Sequence, residues 1–183
     1  MKICRLLLFV AALAPGLPAA EPAKVFEASL KEMEGEIVPL VEAMPAAEFG
    51  FAPTSGAFEG VRTFGLQARH IAFVMDEIAS AVLGERNPSA SAANENGPDD
   101  LKTKDQIVKY LKDAFAYAHR AVASLTAGNL LEPTADPFNP KAQRTRMDSI
   151  SILLWHSYDH YGQMVEYARM NGVIPPASRP RNK

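Results

Sequence analysis

The stretch Thr145–Gly172, TRMDSISILLWHSYDHYGQMVEYARMNG, decides the fold. Thr145 with Asp148 three residues on has the layout of a helix start, and Asn171-Gly172 that of a helix stop. Between them apolar residues recur at three- and four-residue steps on two stripes. Met147, Ile150, Leu154, Tyr158, Tyr161, Val165 and Ala168 make one, and Leu153, His156, His160, Gln163 and Tyr167 make the other. A helix apolar on two sides is the expected central member of a bundle. It also carries His156 and His160, an i, i+4 pair whose imidazoles leave one face about one turn apart.

Upstream the pattern is again helical, and no stretch alternates with period two for long enough to read as a strand. Phe26, Leu30, Met33, Ile37, Leu40 and Met44 form one apolar stripe; Pro39 inside it predicts a kink or early break, and Pro45 a stop. Val61, Phe64, Ala68, Ile71, Met75, Ile78 and Val82 form a second stripe, ending at Gly84. Glu85 to Asp100, rich in Asn, Ser, Pro and Gly, reads as a mobile surface loop. Thr103 and Gln106 fit a capping box, Ile107, Leu111, Ala114, Ala118, Ala121 and Leu125 follow as the third stripe, and Gly128 closes it. Asn129 to Arg144, with Pro133, Pro137 and Pro140, reads as a long extended crossover. Four helices of about 20 residues with long connections give an all-α four-helix bundle.

Residues 1–20 have another character. Lys2 and Arg5 precede an apolar run, Leu6 to Leu13, which leads into Ala14-Pro15-Gly16-Leu17-Pro18-Ala19-Ala20, the layout of a secretory signal peptide. The run is shorter than the roughly 20 residues of a membrane span. An uncleaved N-terminal anchor is the alternative. The division is then a signal peptide over 1–20, a bundle over 21–177 and a basic tail over 178–183. Removing Lys2 and Arg5 takes the formal charge from −2 to −4, and Cys4, the single cysteine, leaves with them. The mature chain would be mildly acidic, cysteine-free and periplasmic or secreted. A chain of 183 residues, 48% hydrophobic, can bury a real core. Its charge balance disfavours a nucleic-acid partner, since no cationic excess is there to displace counterions.

Without cysteines, four histidines remain as soft ligands. The spacing of His156 and His160 lets both bind one metal ion; two interhelical hydrogen-bonding histidines are the plain alternative. Ser157 stands where a zinc protease helix would carry glutamate, and no histidine has a glutamate three residues before it, so neither zinc-protease nor di-iron chemistry fits. A third ligand must come from another helix. His70, flanked by Leu66 and Phe73 with Gln67 and Glu77 on its side, borders the core, whereas His119, beside Arg120, reads as a packing or surface histidine. The methionines, scattered at helical spacing, are core filler before they are soft-metal ligands.

The run from His156 to Pro176, HSYDHYGQMVEYARMNGVIPP, resembles the last helix of the DinB superfamily of bacterial four-helix bundles, and Phe58 to His70, FEGVRTFGLQARH, resembles the start of that family's second helix. The likeness spans about residues 25 to 177. It implies an up-down-down-up bundle with a long crossover before the last helix, and one divalent ion on His70, His156 and His160. Three imidazoles would accept zinc, nickel, manganese or iron according to supply. The family further implies thiol-dependent transfer or isomerisation, or metal-dependent hydrolysis, of a small molecule, and pairing into homodimers; a non-catalytic metal- or ligand-binding module or a dimeric interaction module is the alternative. Export favours hydrolysis or plain binding over thiol transfer, because reduced cytosolic thiols are scarce outside the cytosol. Candidates for supporting roles are Asp159, to orient an imidazole N–H or to form a surface salt bridge; Gln163, to bond a metal-bound ligand or a neighbouring helix; and Glu77, as a general base. Tyr161 and Tyr167 read as packing residues, and Gly162 as a point of close helix approach.

Overall fold

The structure, a computed structural model, describes residues 21–180. The signal-peptide reading and the last three residues of the basic tail lie outside the described residues. Four helices, α1 (Pro22–Ala43), α2 (Phe64–Leu83), α3 (Lys104–Ala123) and α4 (Arg146–Met170), carry the fold. Among the described residues no helix is long and apolar enough to cross a membrane.

Capping sets three of the four starts. Thr63, Thr103 and Thr145 each accept from a backbone N–H in the first turn, and Thr103 and Gln106 complete a reciprocal capping box. Gly84 ends α2 with φ 67°, the left-handed cap that its sequence promised. Pro39 does not break α1. The helix continues to Ala43, and Val38, Leu40 and Val41 around the proline are all buried, so packing outweighs the lost backbone hydrogen bond. Gly128 does not close α3 either; the helix stops at Ala123 and Leu125 is buried beyond its end.

The direction of each helix follows from the contacts at its ends. Lys104, opening α3, bonds the carbonyls of Glu42 and Met44 at the close of α1, so these two run antiparallel. Arg69, early in α2, meets the carbonyls of Gly97 and Pro98 just ahead of α3, and Tyr117, late in α3, reaches Glu85 just past α2, so α2 and α3 run parallel. Arg146, opening α4, bonds the carbonyl of Val82 near the end of α2, making that pair antiparallel. The order is up-down-down-up, with α1 and α2 each packed between α3 and α4.

Because α2 and α3 are parallel, the chain between them must travel the length of the bundle. It does so as a strap along α2, and it is not the free loop its composition suggested. Asn87 Nδ2 donates to Glu77 Oε1 at 2.6 Å, Ser89 Oγ to Asp76 Oδ2 at 2.5 Å, and Arg69 Nη2 to the Gly97 carbonyl at 3.0 Å. The connection before α4 is long but not extended. It folds into a short antiparallel hairpin of β1 (Pro133–Ala135) and β2 (Gln143–Thr145), anchored where Thr134 Oγ1 donates to the Ala81 carbonyl.

The core is continuous across all four helices, with Phe64, Phe115, Leu30, Met33 and Ile150 among its fully buried side chains. Side chains of this size contribute roughly 1.5–3 kcal/mol each on burial. On α4 the buried residues are Ser149, Ile150, Ile152, Leu153, Ser157, His160, Met164, Tyr167 and Ala168. They draw on both expected stripes: Leu153, His160 and Tyr167 come from the one that carries the histidines, Ile150 and Ala168 from the other, and Ile152, Met164 and the serines from neither. His156 and Gln163 are half-buried, as are Leu154, Tyr158, Tyr161 and Val165, and Met147 is exposed. Gly162 is exposed with nothing near enough to touch an added Cβ, so it does not serve close approach.

Candidate metal centre

Antiparallel packing of α2 against α4 brings His70 level with the turn that bears His156 and His160. His156 Nε2 lies 3.1 Å from His70 Nε2 and 3.2 Å from His160 Nε2. Each of the three offers one ring nitrogen to a common point, all within 4.8 Å of one another. His119 is not part of this group. It lies between α3 and α1, its Nδ1 2.8 Å from Glu27 Oε2 and its Nε2 3.0 Å from Glu34 Oε2.

Which nitrogens carry protons can be worked out from partners that can only accept. His70 Nδ1 is 2.6 Å from the Glu95 carbonyl oxygen, so Nδ1 is the protonated nitrogen and Nε2 keeps its lone pair. For His160 the chain of hydrogen bonds starts at a surface carboxylate. Asp159 Oδ2 accepts from Gln163 Nε2 at 3.1 Å, which turns the Gln163 oxygen toward Gln67 Nε2 at 2.9 Å. Gln67 then turns its own oxygen to His160 Nδ1 at 2.5 Å, which must therefore donate. Two lone pairs are thus fixed pointing at the Nε2 of His156, and a single proton on that nitrogen could satisfy only one of them.

Burial lowers the proton affinity of all three rings. His70 is held below its ordinary value by burial, partly offset by its bond to the Glu95 carbonyl. His156 is pushed down to about 4 by burial and by its neighbour His70, and His160 to about 3 by burial, His156 and His70. Neutral imidazoles with converging lone pairs suit a cation. A tetrahedral ion with bonds of about 2.0–2.1 Å sets its nitrogens about 3.3–3.4 Å apart, close to the spacing seen. His156 Nδ1 is buried with no partner among the described residues, so this ring alone lacks a protein acceptor to orient it.

The supporting candidates fall into place differently from their sequence reading. Asp159 touches no imidazole; it acts on His160 only through Gln163 and Gln67. Gln163 makes an interhelical polar contact, as one of its two readings had it. Glu77 sits seven residues past His70, about 10 Å along the helix axis, too far to serve as a base at the triad. Tyr167 is buried and Tyr161 half-buried, in keeping with packing. Sequence reasoning placed Gln67 on the right side of His70 without a role, and gave none to the Glu95 carbonyl. A glutamine one turn before a candidate ligand was a usable signal; a backbone carbonyl 25 residues away leaves none.

Two clefts open at the triad. One, of about 520 Å³, is bordered by His70 and His156 and walled by Phe73, Phe138 and Trp155. The other, of about 470 Å³, is polar and reaches His160 past Arg62, Asn96 and Gln163. Glu95 borders both, its side chain paired with Arg62.

An up-down-down-up bundle in which the second and fourth helices converge three histidines defines a class of protein built around an internal histidine site. The family model of the DinB superfamily matches residues 29–164. The chain belongs to that superfamily. In fold it is similar to a DinB-like protein from Bacillus cereus ATCC 10987, with a TM-score of 0.67 and 17% sequence identity over 84% of this chain and 95% of that one. No curated protein sequence matches it.

Proposed function

We propose that the protein holds one divalent metal ion on His70, His156 and His160 and uses it to hydrolyse a small molecule outside the cytosol. The observation that carries this reading is the set of three Nε2 atoms meeting with two of their lone pairs fixed by acceptor-only partners. When bound, an ion with three neutral protein ligands and an open position supplies Lewis-acid activation of a carbonyl or of water. The chain's own part is to hold the rings: the strap carbonyl of Glu95 aims His70, and the relay from Asp159 through Gln163 and Gln67 aims His160. A substrate would reach the triad by one of the two clefts. Export rests on the layout of residues 1–20, and it is why hydrolysis is preferred here to thiol transfer.

The test is metal analysis of protein purified without a histidine tag, alongside His156→Ala. About one equivalent in the native chain and a small fraction in the variant supports the site; equal content in both removes it. Turnover on an ester and amide panel that disappears with a chelator supports the hydrolase. Tight metal with no turnover would leave a binding module.

A further inference from the structure

Building on the metal reading, we propose that the larger cleft takes a small molecule with an aromatic or apolar body and a cationic amine at one end, the amine set against Glu77 and the opposite end at the histidines. The walls point to the body. Phe138 on the hairpin and Trp155 on α4 both border the cleft and leave 51% and 60% of their surface open. Phe73 of α2 completes the apolar lining.

The charges point to the amine. Among the described residues Arg144 is the one cation on the lining, and two carboxylates more than neutralise it: Asp136 Oδ2 at 2.9 Å and Asp148 Oδ2 at 3.0 Å. Glu95 is taken up by Arg62. Glu77 has no cation within 4.0 Å among the described residues, and the partner found for it is the neutral Asn87. Before any ion binds, the uncompensated charge of the cleft is therefore negative. In that state an anionic ligand would meet it unfavourably, and aromatic faces add their own attraction for a cation. Seven helical residues separate Glu77 from His70, so the molecule spans about 10 Å between its two polar ends.

Trp155 is the only tryptophan of the chain, so its emission reports the cleft directly. The full-length mature protein, as purified and after EDTA treatment, is titrated with 4-phenylbutylamine, 4-phenylbutyrate and the neutral 4-phenylbutanol. The amine is expected to give a saturable change with at least tenfold higher affinity than the carboxylate after EDTA. Glu77→Gln, which keeps an acceptor for Asn87, should lower amine affinity at least tenfold and leave the alcohol within twofold. Phe138→Lys, at an exposed position, should also depress the amine and provides a second variant should the first not fold. Carboxylate binding as tightly as amine in the EDTA-treated protein, or amine affinity unmoved by the variants, overturns the proposal. Failure of the metal reading looks different: His156→Ala would keep its metal while the amine preference stood.

Discussion

Gln67 is the residue on which the tautomer of His160 turns. Its amide oxygen takes the Nδ1 proton of His160 at 2.5 Å, and its amide nitrogen is committed to Gln163. Replacing an outer hydrogen-bond partner of a metal-ligating histidine typically weakens metal binding 10–100-fold. Gln67→Leu is therefore expected to lower zinc affinity by about that range and to leave the stoichiometry intact, as read by competition with a chromophoric chelator. Unchanged affinity would reduce Gln67 to packing. His119 makes a second prediction at this scale. Burial works against its proton, but hydrogen bonds and charges from Glu27 and Glu34 outweigh burial and raise its pKa above the ordinary value. A histidine raised in the folded state stabilises fully below its unfolded pKa of about 6.5, and that contribution fades as pH rises through the folded value. Glu27 is its complement: burial acts to raise it, yet its bonds to His119 and Lys31 leave it lowered, so its share is lost as pH falls. His119→Gln should thus reduce the melting temperature most near pH 6 and much less at pH 9. A deficit that is flat across this range would show that the imidazolium is not part of the α1–α3 contact. The fate of the four histidines was readable in part: helical spacing paired His156 with His160, whereas the two glutamates around His119 lie on α1 and give no local sign.

At the scale of elements, the strap over residues 85–103 links the histidine site to the rest of the bundle. It carries the carbonyl that orients His70, and it is fixed by a buried polar group that sequence reading passed over. Asp76 is 3% exposed; burial raises its pKa to about 6, with the hydrogen bonds of Ser89 and Tyr110 only partly opposing. Gly97 is the tightest point. Its φ is +73°, and an added Cβ would stand 3.2 Å from the Tyr110 ring and 3.4 Å from the Arg69 carbonyl. Gly97→Ala is therefore strained both in backbone and in space, and should destabilise the fold by about 1–3 kcal/mol in urea denaturation. Because the strap would lift where it passes α2, metal affinity should fall with stability. A stable variant of unaltered affinity would mean that the strap adjusts without cost to His70. Polar anchors of this kind were invisible to periodicity, since they join single polar groups 10 to 28 residues apart on different segments. Three-residue strands are likewise too short for alternation to register, so the hairpin read as an extended crossover. Pro39 failed as a breaker because propensity is local and the burial of Leu40 and Val41 is not.

For the molecule as a whole, the bundle was legible because its core is made of apolar stripes at helical spacing, two of them opened by the threonines Thr103 and Thr145. The site was legible as a ligand set once the resemblance supplied His70, and illegible in its two clefts, one formed where the hairpin meets α2 and α4 and the other where the strap and the residues before α2 meet α4. A metal ion held between α2 and α4 would tie the two halves of the chain. By linkage, free zinc at about 100 times its Kd adds about 2.7 kcal/mol to stability. For a chain of this size that is roughly a 5–11 °C rise in melting temperature, expected for the native protein by calorimetry and absent from His156→Ala. An equal rise in both would place the zinc elsewhere. The order of helices carries one further consequence. Two of the three ligands sit on α4, the last helix, and 86 residues separate His70 from His156. A growing chain that has emerged as far as the hairpin offers one imidazole of the triad and no chelate. On the metal reading, selection of the ion would be deferred until synthesis is nearly complete, so that it would reflect the ionic inventory of the compartment where α4 docks and not that of the ribosome's surroundings.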